Sequence, residues 1–420
     1  MLDGHFIRYE RDELHVEGVS AAEIASRVGT PFYAYSSGAF RDRVARVEAG
    51  FARVPHLICY SLKVCHNVNV ARLFAEQGCG FDVVSGGELF RALRAGADPR
   101  RIVYSGVGKT EREIAEALDA GILFFNVESL QELARLDAVA GRLGKRAPVA
   151  IRVNPNVDAK THPYITTGLR ENKFGIDAAL AFEAYSAARD LRNLQVVGID
   201  CHIGSQLLDV APFAAAAARL AEMIEALRRE GFELRYVDVG GGLGIRYRES
   251  DAEPSVAEYA AAIIGGLGGL RDLTLVLEPG RFLAGTAGIL VSRVQYVKRN
   301  AAGKTFVIVD TGMHHLIRPP LYGGHHDIVP VSRKREAPSD VDVVGPICES
   351  SDFLGKDRPI GPVCQGDLLA TLNAGAYGIV LASHYNSHPV AAEVLVDGAK
   401  FRLIRERESY EDLLRHERLP

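Results

Sequence analysis

Between residues 57 and 277 the chain repeats one pattern: a short apolar run rich in β-branched and aromatic residues, then an amphipathic stretch of helical length. The apolar runs fall at 57–62, 81–84, 102–105, 122–127, 149–153, 196–202, 236–239 and 273–277. The helical stretches fall at 69–77, 87–95, 111–118, 129–142, 178–189, 212–230 and 256–267. Strict alternation predicts parallel strands joined by right-handed crossovers, because a helix lying over the sheet face carries the chain back to start a parallel neighbour. Eight units in about 240 residues have the size and count of a (β/α)8 TIM barrel. A doubly wound open sheet is the alternative architecture, because a strand count does not impose closure.

Beyond Arg281 the helical pattern fades. Runs at 289–297, 305–309, 341–344, 367–372, 391–396 and 401–404 are separated by Gly, Pro and Asp, which predicts an antiparallel β domain. Two β-like runs near 5–9 and 14–17 can add strands to it. The expected division is a barrel over 37–280 and a β domain assembled from 1–36 and 281–420.

Bulk properties narrow the class. With 47% hydrophobic and 24% charged residues, the 420-residue chain has ordinary globular composition and length enough for two domains. A formal net charge of −4 and the lack of a long basic run argue against nucleic-acid binding. Asp3, His5, Arg8 and Glu10 are unlike the start of a signal peptide, and no apolar run approaches membrane-spanning length. Six cysteines (Cys59, Cys65, Cys79, Cys201, Cys348 and Cys364) contain no Cys-x-x-Cys pair, which suits a reducing compartment without structural disulfides. Cys59, Cys79 and Cys201 read as small buried hydrophobes and Cys364 as a buried turn residue. His314 with His315 and His325 with His326 complete no ligand spacing, so they read as solvated or hydrogen-bonded side chains and no metal is expected. A cytoplasmic protein is the expectation.

In a barrel of this kind the chemistry gathers at the C-terminal ends of the strands. The first run leads to Lys63, a residue that either snorkels to solvent or is held where its amine becomes a nucleophile. The second carries Asp82, and Gly86 and Gly87 open the helix after it. The sixth ends in His202, Ile203, Gly204, Ser205 and Gln206, and the seventh in Asp238 and Val239 before Gly240, Gly241 and Gly242. The eighth ends in Glu278, Pro279, Gly280 and Arg281. Consecutive glycines let backbone amides approach an anion, and loops after the last two strands of this fold often bind phosphate. A flexible turn is the plain alternative. Glu278, if buried, needs a cationic partner, for which a protonated pyridine nitrogen, Arg281 and Lys63 are candidates. His202 suits either a hydrogen-bonded core position or stacking on a flat ring.

These stretches, taken in order, resemble the fold-type III pyridoxal-phosphate decarboxylases, and among them the diaminopimelate decarboxylases. The similarity spans nearly the whole chain. Besides the strand ends, it is carried by 154–168, by 171–175, by Arg318 to Tyr322, by Cys348 to Asp352 and by Ala374 to Gly378. The resemblance implies pyridoxal 5'-phosphate as cofactor, with Lys63 as the Schiff-base lysine, Asp82 close to the cofactor and His202 stacked on the ring. Ser205, Gly241, Gly242 and Gly280 are implied to hold the phosphate, Glu278 to pair with the pyridine nitrogen, and Tyr377 to touch cofactor and substrate. Arg281, also counted with the cofactor site, would bind substrate together with Arg318, Tyr322 and Glu349. Cys348 would be the proton donor, since a thiol gives up and recovers a proton near neutral pH. Cys348 and Glu349 are implied to reach the neighbouring subunit's site, which makes a homodimer the expected assembly.

The implied activity is decarboxylation of meso-2,6-diaminopimelate to L-lysine and carbon dioxide, the last step of lysine biosynthesis. That substrate carries a distal carboxylate as well as a distal ammonium, and an arginine fork matches a carboxylate in charge and geometry. A related decarboxylase for ornithine, carboxynorspermidine or a specialised-metabolite substrate is the alternative, and a non-catalytic cofactor-binding regulator a further one. The chain departs from the family pattern around the lysine, where Ser61 replaces an alanine and Val64 and Cys65 follow. It departs also at Ser351 and at His314 and His315.

Overall fold

A computed structural model describes residues 5–157, 173–270 and 272–420. The family-like stretch 158–172 lies outside the described residues. The chain divides into two compact units, one of residues 43–245 and 252–282, the other of 1–42, 246–251 and 283–420.

The first unit is a closed parallel barrel. Its strands are β1 (His56–Ser61), β2 (Gly80–Val83), β3 (Ile102–Tyr104), β4 (Phe124–Val127), β5 (Ala147–Asn154), β6 (Leu194–Asp200), β7 (Tyr236–Asp238) and β8 (Thr274–Leu277). Each pairs in parallel with the next, β8 pairs with β1 through Leu275 and His56, and β4 pairs with β5 through Phe125 and Val149. Closure therefore decides between the two architectures that the sequence pattern allows. The crossover helices are α1 (Val68–Glu76), α2 (Gly86–Arg94), α3 (Glu111–Ala120), α4 (Leu130–Leu143), α5 (Ala181–Asp190), α6 (Ala211–Arg229) and α7 (Val256–Gly266). Several start on a side-chain cap: Ser85 for α2, Ser129 for α4, and full capping boxes at Thr110 with Glu113 for α3 and Ser255 with Glu258 for α7.

Alternation along the strands sorts the barrel interior into layers, because side chains at i and i+2 share a face. Leu57, Cys59, Val103, Phe124, Ala150, Val197 and Val276 form one buried apolar cluster. Two residues further along the same faces stand Ser61, Ser105, Asn126, Arg152 and Glu278. The N-terminal part of the barrel is thus filled with hydrocarbon and its C-terminal end with polar groups, all five of them buried. Such groups are costly to bury unless hydrogen-bonded, so the layer forms a connected network.

The second unit is a mostly antiparallel sheet running Phe353–Ile360, Ser339–Val344, Thr305–Val309, Gly288–Arg299, Phe32–Ser36, Ala392–Asp397, Lys400–Arg405. Leu368–Thr371 also pairs with Gly288–Arg299 and carries Ile328–Pro330 at its other edge. The N-terminal segment does add a strand to this sheet, but it is Phe32–Ser36, outside the runs read at 5–9 and 14–17; it runs parallel to Ala392–Asp397, and Thr305–Val309 runs parallel to Ser339–Val344. Ile7–Glu10, Glu13–Val16 and Val19–Ser20 form a small separate sheet. The core beneath these elements includes Leu14, Val16, Ile24, Phe32, Ile289, Val291 and Val394.

Three expectations need adjustment. Strand β1 ends at Ser61, and Lys63 sits on a short 3-10 turn, Leu62–Val64, beyond it. Cys364 is exposed, although it does lie in a turn, closed by Asp367 N–H donating to its carbonyl at 3.1 Å. His314 is neither solvated nor hydrogen-bonded: it is buried against the rings of His315 and His388, and neither ring nitrogen has a hydrogen-bond partner. Cys59, Cys79 and Cys201 are buried as expected, and no cysteine is in a disulfide. Among the described residues no helix is long and apolar enough to cross a membrane, and no cluster of His, Cys, Asp or Glu has the makings of a metal site.

One buried ion pair braces the barrel's C-terminal end. Lys109 Nζ donates to Gly106 O at 2.7 Å, Asn126 O at 2.8 Å and Glu132 Oε1 at 2.6 Å, while the other Glu132 oxygen accepts from Glu128 N–H. All three ammonium donors are used, so removing the lysine strands a buried carboxylate. Lys109→Ala is expected to lower unfolding free energy by about 3–5 kcal/mol. A Lys109→Met, Glu132→Leu double variant is expected to recover most of that loss, and denaturant unfolding of the three proteins checks it.

Candidate active site

The strand ends bring Lys63, Asp82, His202, Ser205, Gly241, Gly242, Glu278, Gly280 and Arg281 to one end of the barrel. Lys63 Nζ donates to Asp82 Oδ2 at 2.5 Å, with Asp82 fully buried and Lys63 partly exposed. Burial alone would raise the Asp82 carboxyl, but the Lys63 charge and hydrogen bonds from Lys63 and Ser61 hold it below the ordinary carboxylate range.

Glu278 is buried, and its Oε1 accepts from Ser105 Oγ at 3.3 Å and from Asn126 Nδ2 at 3.4 Å. The same Asn126 amide donates to Asp238 Oδ2 at 3.2 Å. Burial, then the charges of Asp238, Asp82 and Asp200, push Glu278 well above the carboxylate range. Burial likewise raises Asp238 to about 7 and Asp200 well above its ordinary value. Asp82 Oδ1 and Asp200 Oδ1 are buried without a hydrogen-bond partner. Arg152 answers part of this charge, bonding Glu128 at 2.9 Å and lying 3.7 Å from Asp200. A site so rich in carboxylates fits a cationic ligand group, and a protonated pyridine nitrogen meets that need at Glu278.

His202 stays neutral. Burial, then Arg152 and Lys63, lower it to about 3, and its Nδ1 accepts the Gly241 N–H at 3.2 Å, which places the ring proton on Nε2. The glycine turn packs too closely for side chains: a Cβ on Gly241 would lie 2.2 Å from Glu278 O, and one on Gly280 2.6 Å from Val64 Cγ1. Gly240 N–H donates to Asp238 at 2.9 Å. At the rim, Arg281 Nη2 and Nε donate to Ser205 Oγ at 3.0 and 3.3 Å. A guanidinium and a hydroxyl beside a glycine turn suit a phosphate.

The remaining predicted residues belong to the β unit. Arg318 is buried on the short helix Arg318–Tyr322, which puts Arg318 and Tyr322 four residues apart on one helix face. Arg318 Nη1 donates to His326 Nε2 at 2.7 Å, and His326 Nδ1 donates to Leu372 O at 2.8 Å. The Arg318 guanidinium lies 4.5 Å from the Tyr247 ring centroid. Cys348 and Glu349 are exposed on a loop, where Cys348 N–H donates to Asn386 Oδ1 at 2.9 Å. Glu349 accepts from Tyr385 Oη at 2.7 Å and from Ser351 Oγ, which together lower its pKa. Asp352 gathers that loop, accepting from Met313 N–H and Ile347 N–H at 2.6 Å each. Tyr377 is half-buried with φ +56°, in the left-handed region, a conformation a tyrosine adopts only under constraint from its surroundings.

Sequence reasoning gave no supporting role to Ser105, Asn126, Arg152, Asp200 and Asp238 in the barrel, or to Tyr247, His326, Tyr385 and Asn386 in the β unit. The barrel set carries a usable signal, a polar residue at the last inward position of an otherwise apolar strand. The β-unit set carries little: His326 stands eight residues from Arg318, but Tyr247, Tyr385 and Asn386 are far in sequence from the residues they brace.

The raised carboxyls predict a pH effect on the cofactor-free chain. A folded-state pKa above the unfolded value favours folding most below about pH 4, and that contribution is lost as pH rises toward 7. Asp238→Asn is therefore expected to flatten the fall in stability between about pH 4 and 7 by a few kcal/mol, measured by denaturant unfolding across that range.

Residues 37–285 match the family described as pyridoxal-dependent decarboxylase, pyridoxal binding domain. Over 405 residues the chain is 50% identical to a diaminopimelate decarboxylase of Neisseria meningitidis serogroup A, covering 96% of this chain and 98% of that protein. It is 48% identical over 406 residues to the diaminopimelate decarboxylase of Aquifex aeolicus, covering 97% and 96%. The crystal structure of diaminopimelate decarboxylase from M. jannaschii in co-complex with L-lysine superposes with a TM-score of 0.95 at 38% identity, covering 100% of this chain and 99% of that one. The chain belongs to the diaminopimelate decarboxylase family of pyridoxal-dependent decarboxylases.

Proposed function

We propose that this chain converts meso-2,6-diaminopimelate to L-lysine and carbon dioxide, the last step of lysine biosynthesis, with pyridoxal 5'-phosphate as cofactor. It works in the cytoplasm as a homodimer. The observation that carries this reading is the placing of an amine (Lys63), a buried carboxylate short of cations (Glu278), a neutral imidazole (His202) and a glycine, serine and arginine cradle at one barrel end.

When bound, the cofactor supplies the electron sink for the pair left on the α-carbon as carbon dioxide departs. The protein's part is to bind, orient and move protons. Lys63 holds the cofactor through its amine, and Asp82 steers that amine through the 2.5 Å contact. Glu278, fixed by Ser105 and Asn126, would pair with the ring nitrogen and favour its protonated form. His202 offers an uncharged ring face for stacking, and Ser205, Gly241, Gly242, Gly280 and Arg281 hold the phosphate. Tyr377 contacts cofactor and substrate. Arg281, Arg318 and Tyr322 take the distal carboxylate and Glu349 the distal ammonium. Cys348 delivers the proton to the α-carbon. Cys348 and Glu349 are exposed on their own chain, which suits donation to the neighbouring subunit's site.

Arg318 favours diaminopimelate over ornithine, which lacks a distal carboxylate. It is a buried fork oriented by His326 and Tyr247, and so suited to bidentate carboxylate binding. A carbon dioxide release assay is expected to show turnover of meso-diaminopimelate and none of ornithine; ornithine turnover alone would refute the reading. Arg318→Ala is expected to lower kcat/KM for diaminopimelate by about 100-fold or more, as loss of a buried charge-assisted contact does. Lys63→Ala is expected to remove the visible absorption band of the cofactor-loaded protein, and a variant that keeps the band would overturn the role of Lys63.

A further inference from the structure

Ser61 occupies the last inward position of β1 and is buried. Its Oγ lies 2.8 Å from Asp82 Oδ2 and 2.9 Å from the main-chain oxygen of Glu278, and its N–H donates to Pro279 O at 3.4 Å. Lys63 Nζ donates to that same Asp82 Oδ2 at 2.5 Å, while Asp82 Oδ1 is buried with no hydrogen-bond partner. One oxygen therefore receives both an ammonium and a hydroxyl. A hydroxyl has a single proton, and a carboxylate is a stronger acceptor than a carbonyl, so the Ser61 proton turns to Asp82.

We propose that Ser61 is a positioning residue that divides the acceptor capacity of Asp82, so that the Lys63 amine gives up its proton at lower pH than it would against an undivided carboxylate. The use of this tuning in catalysis rests on the reading of Lys63 as the cofactor-bearing amine; the geometry does not.

Other titratable groups face the same pair: Glu88 from α2, Asp200 from β6, His202 beyond β6, Asp238 from β7 and Glu278 beyond β8. Substitution at Ser61 alters none of these side chains, so a change in Lys63 titration reports the hydroxyl.

The test uses the full-length chain stripped of cofactor. Lysines are reductively methylated with formaldehyde and cyanoborohydride between about pH 6 and 11, and the rate at each is read by peptide mass spectrometry. In Ser61→Ala the Lys63 midpoint is expected to rise by about 0.5 to 1 pH unit, the net size of one ordinary hydrogen bond. The midpoint of Lys145, paired with Asp119 on the barrel surface, is expected to stay where it is. Ser61→Cys, of similar size and a weaker donor, is expected to give a smaller rise in the same direction, and it decides the matter if the alanine variant does not fold. An unchanged or lowered Lys63 midpoint, or an equal shift at Lys145, would overturn the proposal. A parallel arm traps pyridoxal phosphate on the native chain with borohydride. Failure to label Lys63 there refutes the cofactor role while leaving the midpoint shift to judge Ser61.

Discussion

Four carboxylates, those of Asp82, Asp200, Asp238 and Glu278, are buried at one end of a single barrel, and much of the local structure answers that fact. An unpaired buried carboxylate is among the most expensive groups a fold can hold. Here Lys63 answers Asp82, Arg152 answers part of Asp200, and the Asn126 amide spans Asp238 and Glu278. Burial, and then the mutual repulsion of these groups, raises the carboxyl pKa values of Asp200, Asp238 and Glu278 and makes the end of the barrel receptive to a cationic ring.

Stability and chemistry are kept apart along the barrel axis. The apolar layer around Phe124, Ala150 and Val276 contributes hydrophobic burial without polar demands. The polar layer two residues further on contributes little net stability, because its hydrogen bonds mainly offset desolvation. Lys109 with Glu132, and Glu128 with Arg152 and Gly175 N–H, then fix the loops that leave this layer. A rigid frame of this sort lets Ser61, Lys63 and Asp82 share one oxygen at fixed distances.

The β unit solves a different problem. It presents polar residues from loops and a short helix, so each needs a local brace. His326 and Tyr247 orient Arg318, Asp352 gathers the loop of Cys348 and Glu349, and Asn386 and Tyr385 clasp that loop from outside. His326 and Asp352 are near in sequence to what they brace, Tyr247, Tyr385 and Asn386 are distant, and the last two help give the loop a defined shape despite its exposure.

The sequence by itself determined the strand and helix alternation, the approximate position of the strand ends and the residue types placed near them, since periodicity and turn chemistry are local properties. Lys63, Asp82, His202, Glu278 and the glycine turn were legible for that reason, as was the family pattern they form. Closure of the barrel, the parallel insertion of Phe32–Ser36 and the exposure of Cys364 were not, because each depends on which distant segments meet. The least familiar stretch, Ser61 beside Lys63, shows the division most clearly. The sequence marks a serine where a small residue is expected. Only the tertiary structure decides that its hydroxyl meets the same Asp82 oxygen as the lysine amine, because that meeting requires β1, β2 and β8 to be side by side.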